Sequence, residues 1–390
     1  MSIKSIFWYR RDLRLHDNHA LFKALQNGGE VMPIFIYDSN IINNLDPGDH
    51  RLKFINDQIQ IINNKLSEIG KKIYTFFGDP LSVVKSLKSE YDFDSLYFNK
   101  DYEPYALERD NKISDYLLER GCSSHSFKDH VIFEENNIVK DDGKPYVVYT
   151  PFSRKWLMNF DLSMTKSFDS ISLLNNLVDS NSLNISSEDS KIVDNAITPI
   201  KYNLEKRIID NYDEDRNYPW IKGTSKIGVH LRFGTKSVRE IVKIGLKSSD
   251  NTYLKELIWR EFFIQILYHF PTTVDKSFKE KYERINWRNN MEEFDAWCNG
   301  MTGYPIVDAG MRELNSTGFM HNRVRMIVGS FLCKHLLIDW RLGEEYFAKK
   351  LFDFEKASNV GNWQWVAGCG VDTAPYFRIF NPYEQQKKFD

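Results

Sequence analysis

The first 135 residues alternate short apolar runs with amphipathic helical patterns, and this alternation strongly restricts the possible folds. Four segments are short and apolar, as buried strands are: 5–9, 31–37, 72–77 and 95–98. Between them, segments 51–70 and 105–120 carry apolar residues at helical spacing. Strands that alternate with helices along a chain form a parallel sheet with helices on both faces. We therefore predict an α/β domain with a Rossmann-like parallel sheet over residues 1–135.

The pattern changes twice beyond this domain. Residues 161–198 are rich in Ser, Asn and Asp and contain one aromatic residue, Phe168. Such a composition is typical of a segment that runs over the surface, and we predict an interdomain linker over residues 136–198. Apolar residues then recur at spacings of three and four in six segments: 203–212, 238–247, 253–269, 307–316, 320–338 and 344–352. We predict an all-α domain over residues 199–390 that holds a cofactor in its interior.

The composition excludes several classes of protein. The 390 residues contain no apolar run of 18 residues and no signal peptide, so we expect an intracellular, cytoplasmic monomer without a membrane segment. The four cysteines are scattered without a Cys-x-x-Cys pair, which argues against a disulfide framework and a zinc site. Because the net charge is -2, any binding of DNA must use a local basic patch.

A charged loop, Tyr-Arg-Arg-Asp-Leu-Arg-Leu-His-Asp-Asn at residues 9–18, follows the first predicted strand. It lacks the Gly-x-Gly-x-x-Gly pattern, so a dinucleotide site of the usual kind is not supported. Judged by its residues alone, such a loop is more often a solvated turn or a salt-bridge network than a binding site.

A second unusual segment, residues 359–382, places Trp363 and Trp365 two positions apart among glycines. On a helix the two rings point in different directions and cannot share one packing face. The segment contains Asn-Val-Gly-Asn-Trp-Gln-Trp and Tyr-Phe-Arg-Ile-Phe-Asn-Pro. Both resemble signatures of the DNA photolyase and cryptochrome flavoprotein family, as do segments 9–18 and 144–156. Met-His-Asn-Arg-Val-Arg-Met at residues 320–326 is most similar to the class I cyclobutane pyrimidine dimer photolyases.

The resemblance implies an FAD-binding helical domain. The turn at residues 223–228 offers two hydroxyls, a cation and permissive glycines, which suits a phosphate, and the matching turn of the family holds the FAD diphosphate. Here Lys226 and Gly228 replace Arg and Ser, which weakens the expected contacts. Asn359 is expected near flavin N5, and Glu355 replaces a shorter Asp at the polar edge of the ring. The implied cofactor residues are Tyr212, Thr224, Ser225, Lys226, Ile227, Gly228, Tyr253, Arg325, Asp353, Glu355 and Asn359.

One face of the predicted helix 253–269 carries Glu256, Trp259, Arg260 and Phe263. Alone, this pattern is more often an amphipathic helix whose Glu and Arg face water. The resemblance implies instead a lesion pocket in which Trp259 stacks on a flipped-out base pair and Glu256 hydrogen-bonds the pyrimidines. Desolvation there would raise the pKa of Glu256. The implied catalytic residues are Glu256, Trp259, Asn322, Met326 and Trp365.

Electron transfer and DNA binding are the remaining implied roles. Any one tryptophan is core packing by default, but three together match the electron-transfer chain of the family: Trp363, Trp340 and Trp287. Basic side chains near aromatic ones are typical of a protein that binds DNA phosphates and flips bases out of the double helix. The implied DNA-binding residues are Arg216, Arg260, Arg323, Arg378 and Gln385.

We therefore predict light-driven repair of cyclobutane pyrimidine dimers in DNA by electron transfer from excited, reduced FAD. Two alternatives are a cryptochrome-like blue-light photoreceptor and a truncated DNA-binding flavoprotein without repair activity, since relatives continue beyond the position of Asp390. The resemblance leaves open whether a second, antenna chromophore is bound, and it could be a deazaflavin or a flavin. Folate is disfavoured because Tyr105 and Ala106 stand where folate-binding relatives have Asn and Glu.

Overall fold

The computed structural model describes residues 3–46, 48–181, 183, 197–248, 250–373, 375 and 377–390. The chain groups into two compact units, each drawn from several segments. The first comprises Met1–Ile132, Asp161–Ala196 and His230–Ile241. The second comprises Phe133–Phe160, Ile197–Val229 and Val242–Asp390. The predicted boundaries near residues 135 and 198 stay predictions.

A five-stranded parallel sheet forms the centre of the first unit, in the order β3-β2-β1-β4-β5. Its strands are β1 Ser5–Tyr9, β2 Val31–Asp38, β3 Tyr74–Gly78, β4 Ser95–Asn99 and β5 Ser123–Phe127. Ser5 pairs with Val31 on one side and with Ser95 on the other, which fixes the register of the three inner strands. The sequence predicted four strands and missed β5, because Ser-Ser-His-Ser-Phe is polar and lies at the partly exposed edge.

Helices connect these parallel strands. They are α1 His19–Gln26, α2 Ser39–Ile42, α3 His50–Ser67, α4 Pro80–Tyr91 and α5 Pro104–Leu118. Asn18 caps α1 by accepting a hydrogen bond from the Leu21 amide, which satisfies one of the free N–H groups at the helix start. Ile6, Met32 and Leu96 from the three inner strands are at most 1% exposed and join one apolar core. The α/β prediction for this part of the chain is confirmed.

The charged loop after β1 forms a buried ion-pair network. Arg14 Nη2 lies 2.6 Å from Asp129 Oδ2, and Arg239 Nη2 lies 2.8 Å from Asp129 Oδ1. Arg239 also pairs with Asp17, and all four side chains are at most 8% exposed. Although burial itself raises the pKa of Asp129, Arg14 and Arg239 lower it to about 2. The salt-bridge interpretation of the loop is therefore correct.

The predicted linker, residues 136–198, is divided between the two units: its segment from residue 161 to 196 belongs to the first unit, and residues 136–160 and 197–198 belong to the second. Residues 161–178 form two short 3₁₀ helices, Leu162–Thr165 and Ile171–Asn176. Leu177 and Val178 are each 2% exposed, and the Val178 amide donates to the Val31 carbonyl at 3.0 Å. Leu162 and Ile171 are 65% and 50% exposed, so the segment runs over the surface and is anchored by a few buried side chains; its role as an interdomain linker stays a prediction. Residues 182 and 184–196 lie outside the described residues.

Beyond residue 133 the described regular elements are helical. They are α6 Tyr149–Asn159, α7 Lys206–Asp210, α8 Tyr212–Asp215, α9 Gly228–Arg232, α10 Val238–Gly245, α11 Thr252–His269, α12 Met291–Cys298, α13 Pro305–Thr317, α14 Asn322–Lys334, α15 Trp340–Lys350, α16 Lys356–Ala367 and α17 Pro382–Phe389. The continuous helix predicted at 203–212 is wrong, because the chain leaves helical geometry at Asn211 between α7 and α8. The helix predicted at 320–338 is shorter: it begins after the N-cap residue His321 and ends at Lys334, and Leu337 beyond its end has a left-handed φ of 55°. In the described part of the chain no helix is long and apolar enough to cross a membrane.

Trp363 on α16 lies in a hydrophobic core of the second unit, with 4% of its surface exposed. Glycines from two helices allow neighbouring backbones to approach it. A Cβ added to Gly343 of α15 would overlap the ring and lie 2.5 Å from Trp363 Cζ3, whereas one added to Gly329 of α14 would lie 3.5 Å from that atom. The two glycines therefore determine how closely α14 and α15 pack against this tryptophan.

Candidate functional site

A cavity of about 430 Å³ lies within the second unit, lined mainly by α11, α14, α16 and the segment after α15. Its volume falls in the range of about 300–1,000 Å³ that small-molecule sites occupy. The lining includes every residue predicted to be catalytic: Glu256, Trp259, Asn322, Met326 and Trp365. Their roles stay predictions, but one site does bring these five side chains together.

The Glu256 carboxylate is paired with Arg216, whose Nη1 donates to Oε1. Both side chains remain 35% exposed. Desolvation raises the pKa of Glu256 above its usual range, and the charge of Arg216 only partly opposes this shift. The structure thus pairs Glu256, which was predicted to hydrogen-bond a base, with Arg216, which was predicted to bind DNA. The sequence did not indicate this pairing.

Trp259 is stacked against a residue that sequence reasoning missed. The Tyr149 ring of α6 lies parallel to the indole, with centroids 3.6 Å apart and an interplanar angle of 7°. The Tyr149 hydroxyl donates to the Lys255 carbonyl at 2.9 Å, which fixes the phenol ring beside α11. Phe263 also contacts Trp259, at 5.5 Å between centroids. Trp259 is therefore held firmly by aromatic neighbours while it lines the cavity.

Two further ion pairs lie at the cavity wall. Arg325 Nη2 lies 3.1 and 3.0 Å from the two carboxylate oxygens of Asp353, and Arg325 Nε donates to the Met320 carbonyl at 2.7 Å. Arg260 Nη2 lies 2.9 Å from Glu355 Oε1. The side chains of Arg260 and Glu355 are only 12% and 7% exposed, so this ion pair is largely buried. The predicted contact of Arg260 with DNA stays a prediction.

Arg323 has no carboxylate partner among the described residues that line the cavity. It donates to Asn217 Oδ1, and its guanidinium lies 4.4 Å from the centroid of the Phe389 ring on α17. Its Nε is buried without a hydrogen-bond partner in the described structure. Desolvation and then the charges of Arg216 and Arg378 lower the pKa of Arg323. Arg216, Arg323 and Arg378 are therefore close enough to interact electrostatically and make up a positive patch, in which the charge of Arg216 is paired with Glu256.

The predicted phosphate turn reaches the cavity through Thr224. Ser225 Oγ accepts a hydrogen bond from the Tyr253 hydroxyl at 3.1 Å, which joins two predicted cofactor residues. Lys226 adopts a left-handed φ of 54° and places Nζ 4.8 Å from the ring centroid of Phe319. A Cβ on Gly228 would lie 3.0 Å from Asp353 Oδ2, so the glycine allows a close approach to that carboxylate.

The remaining predicted cofactor residues differ in their access to the cavity. Tyr212 lines it, and its ring lies 5.2 Å from that of Tyr253. Ile227 is 7% exposed and lies outside the lining. Asn359 lines the cavity and is 8% exposed; its Nδ2 donates to the backbone carbonyl of Glu344 at 3.1 Å and to Glu344 Oε1 at 2.9 Å. The sequence did not indicate Glu344, because a lone Glu on an amphipathic helix is normally solvated.

The three predicted electron-transfer tryptophans belong to one cluster. Trp363 lines the cavity, Trp340 is 1% exposed in the same core, and Trp287 packs against that core while partly buried. A fourth indole, Trp297, is in direct ring contact with Trp363 at 6.2 Å between centroids. No sequence pattern distinguishes Trp297 from an ordinary core residue.

The two remaining predicted DNA-binding residues lie away from the lining. Arg378 is exposed, and its guanidinium lies 5.6 Å from the ring centroid of Phe380. Gln385 is half-buried on α17. Among the described residues, no group of three or more His, Cys, Asp or Glu side chains could hold a metal ion.

Comparison with known proteins identifies the family. A model of DNA photolyase matches residues 5–170, and a model of the FAD binding domain of DNA photolyase matches residues 253–390. A deoxyribodipyrimidine photo-lyase of Agrobacterium fabrum is 36% identical over 416 residues, which cover 100% of this chain and 86% of the relative. The chain belongs to the DNA photolyase family. Its fold class, its FAD cofactor and its enzyme type, a photo-lyase, are thereby confirmed.

Solved structures agree with this assignment. A bacterial class III photolyase from Agrobacterium tumefaciens has a TM-score of 0.87 and 34% identity, with 100% of this chain and 85% of the other covered. An archaeal photolyase from Sulfolobus tokodaii, which contains two FAD molecules, has a TM-score of 0.80 and 33% identity, with 100% and 88% covered. A Synechocystis cryptochrome has a TM-score of 0.84 and 25% identity, with 100% and 87% covered. The predicted likeness to class I stays a prediction.

Proposed function

We propose that this member of the DNA photolyase family repairs cyclobutane pyrimidine dimers in DNA under blue or near-UV light. The observation that carries the proposal is that one cavity combines Glu256, Trp259 and Trp365 with Asn359 and the Arg325 and Asp353 pair. Reduced FAD, when bound, supplies the light-excited electron that splits the cyclobutane ring and that then returns, so that no net oxidation occurs.

The residues of the cavity fit FAD. The Arg325 and Asp353 pair and the Arg260 and Glu355 pair provide donors and acceptors for a polar ring edge, and Asn359 provides an amide. Thr224 and Tyr212 line the cavity, and Thr224 provides a hydroxyl for a diphosphate. Ser225 and Tyr253 are buried behind the lining, where their hydroxyls bond to each other and support the turn. Gly228 keeps the space next to Asp353 free of a side chain. In this proposal Lys226 contributes charge near the diphosphate, and Ile227 supports the turn.

The lesion enters the same cavity as a flipped-out pair of bases. Trp259 and Trp365 offer apolar walls, and Tyr149 holds Trp259 in place because its ring stacks at 3.6 Å. When protonated, which its raised pKa favours, Glu256 gives up the ion pair with Arg216 and donates a hydrogen bond to a pyrimidine oxygen as charge develops there. Asn322 hydrogen-bonds a base edge, and Met326 contacts the bases through its thioether.

DNA phosphates bind to the positive patch beside the cavity. Arg323 carries the main contact, since its charge is not neutralised by a carboxylate among the described lining residues. Arg216 and Arg378 add to the local potential, and Gln385 contributes a neutral contact from α17. The protein binds as a monomer, and selectivity arises in part because a damaged pair stacks poorly and costs less to flip.

The direct test uses a thymine-dimer oligonucleotide and protein whose FAD has been reduced beforehand. Repair in blue light but not in darkness is the expected result. Glu256→Ala should lower the repair yield while FAD remains bound, and the matched control Glu240→Ala changes a glutamate that lies outside the cavity lining. Equal yields from the two variants would remove the role of Glu256.

A cryptochrome-like photoreceptor is the second candidate, favoured by the fold shared with the Synechocystis cryptochrome. It predicts bound, photoreducible FAD without repair. A third candidate, a DNA-binding flavoprotein without repair activity, would retain affinity for dimer-containing DNA. Light-dependent repair would exclude both.

The first unit binds a second, light-harvesting chromophore in this proposal, and the identity of that chromophore is open. In this chain the Tyr105 hydroxyl donates to Asp38 Oδ2 at 2.7 Å and accepts from Asn40 Nδ2 at 3.3 Å. These bonds use the hydroxyl of Tyr105, which stands at one of the two positions where folate-binding relatives have Asn and Glu. Folate is therefore the least favoured antenna, and spectra of the purified protein would identify any other.

A further inference from the structure

Trp220 lies on a loop of the second unit, between α8 and α9, and 69% of its surface is exposed. Four other tryptophans pack into the interior and are at most 2% exposed: Trp8, Trp156, Trp297 and Trp340. The indole of Trp220 therefore contributes little to core packing. A tryptophan presented to solvent is typical of a surface that binds a partner, because its large ring offers contact area at a low cost in conformational entropy.

A rigid turn presents this indole. Pro219 and Trp220 are the two central residues of the turn, which is closed by a hydrogen bond from the Ile221 amide to the Tyr218 carbonyl at 3.1 Å. Proline fixes its own φ and is favoured at the first central position of such a turn. The Tyr218 ring lies 6.4 Å from the Trp220 ring at an interplanar angle of 59°, so it does not cover the face of the indole.

The loop that carries the turn lies at the edge of the cavity. Asn217 before the turn and Thr224 after it both belong to the cavity lining. Because an extended chain spans at most about 3.6 Å per residue, the Trp220 backbone lies within about 11 Å of Asn217. The end of the loop also returns to α8, since a Cβ added to Gly223 would overlap Asp215. Trp220 is thus held near the mouth of the cavity.

Charge beside the turn indicates which part of a nucleic acid would bind there. Tyr218 lines an open hollow of about 640 Å³. The charged side chains of this hollow have both signs: Asp213, Glu214, Asp215, Arg323 and Lys388. Three carboxylates beside two cations do not favour an additional phosphate. The neutral rings of Tyr218 and Trp220 suit a base instead, because every base has a π face on which an aromatic side chain can stack.

We propose that Trp220 stacks on a DNA base beside the flipped-out dimer and so adds affinity without contacting a phosphate. The inference rests on the proposed function, in which the dimer enters the neighbouring cavity. When a dimer leaves the double helix, the bases next to it lose a stacking neighbour. The indole replaces that neighbour whatever the identity of the base.

The test measures dissociation constants in darkness at several salt concentrations for a dimer-containing duplex, an undamaged single strand and an undamaged duplex. Trp220→Ala should weaken binding of the first two about tenfold. It should leave binding of the undamaged duplex unchanged, because all bases there are already stacked. The salt slope should also stay at the parent value, since no phosphate contact is lost.

Two further variants control for the aromatic ring and for exposure. Trp220→Phe keeps an aromatic face and should retain most of the affinity. Met301→Ala removes a side chain that is 64% exposed and lies outside both the cavity lining and the hollow, and it should bind all three DNAs as the parent does.

Several results would overturn the inference. Parent-like binding of the dimer-containing duplex and the single strand by Trp220→Ala would show that the indole contacts no base. Weaker binding of the undamaged duplex, or a smaller salt slope, would indicate a general or phosphate contact instead. If Trp220→Ala abolished self-association and left DNA binding unchanged, the indole would belong to an interface between copies of the chain.

The same series separates this inference from the proposed function. Trp220→Ala should still repair dimers in light when DNA is saturating, because Trp220 lies outside the cavity lining. If the parent repairs dimers and Trp220→Ala binds like the parent, only the stacking role is refuted. If the parent repairs no dimers, the proposed function fails, and the loss of single-strand affinity in Trp220→Ala still decides whether Trp220 stacks on a base.

Discussion

Gly343→Ala tests whether close helix packing holds Trp363 in its position at the cavity. Gly343 lies within α15, and a Cβ there would overlap the Trp363 ring, at 2.5 Å from Cζ3 and 2.6 Å from Leu332 Cδ2. Ordinary contact begins near 3.4 Å. The indole or one of the helices must therefore move by about 0.9 Å or more, in a core that has little free volume.

The expected loss of stability follows from two opposing effects. Overpacking of a well-packed core costs about 1–3 kcal/mol. Alanine is favoured over glycine inside a helix by about 1 kcal/mol, which offsets part of this cost. Because the added atom meets a rigid indole that is 4% exposed, the upper part of the range applies, and we expect a net destabilisation of about 1–2 kcal/mol. Photoreduction of oxidised FAD should slow as Trp363 is displaced.

Urea unfolding and illumination of the oxidised protein measure the two effects. Gly329→Ala is the matched control: it faces the same indole from α14, but its Cβ would lie 3.5 Å from Trp363 Cζ3 and 3.2 Å from Val366 Cγ2. It should be close to neutral in both assays. Parent-like stability and photoreduction in Gly343→Ala would refute the packing argument.

Three further predictions concern single side chains. Trp363→Phe should block photoreduction yet leave repair by chemically reduced protein intact, whereas Trp297→Phe should retain photoreduction; the reverse result would place the electron path through Trp297. Repair should decline as pH rises through the raised pKa of Glu256, because the protonated carboxyl is then lost as a hydrogen-bond donor. Glu256→Gln should remove this decline, since its amide donates at every pH. If Glu256→Gln shows the same pH profile as the parent protein, the Glu256 carboxyl is not the donor. Arg323→Ala should weaken binding to damaged and undamaged DNA alike and reduce the salt slope by about 1, and an unchanged slope would exclude a phosphate contact.

Local patterns identified much of the fold. The apolar runs of β1, β2 and β4 reflect strands that are buried on both faces, and the apolar spacing of α10 and α13 reflects one buried helix face. Both kinds of burial are visible in residues that are neighbours in the sequence. The polar strand β5 was missed because it depends on pairing with β4, and the break at Asn211 was missed because apolar spacing continues across it.

The sequence predicted those residues of the candidate site that lie within recognisable motifs. Family signatures named the five residues implied to be catalytic, and the structure brings all five to one cavity. They did not indicate Tyr149 beside Trp259, because these positions are distant in sequence and ordinary in type. The same holds for Glu344 behind Asn359. Contacts between helices are set by tertiary packing, which no local spacing encodes.

The most direct test of the central claim is the number of dimers repaired per FAD after a single chemical reduction, with no reductant left in solution. The account predicts that illuminated protein repairs many dimers per flavin, because the electron returns after each ring is split, and that protein kept in darkness repairs none. At most one repair per reduced flavin, or equal repair in light and darkness, would contradict it.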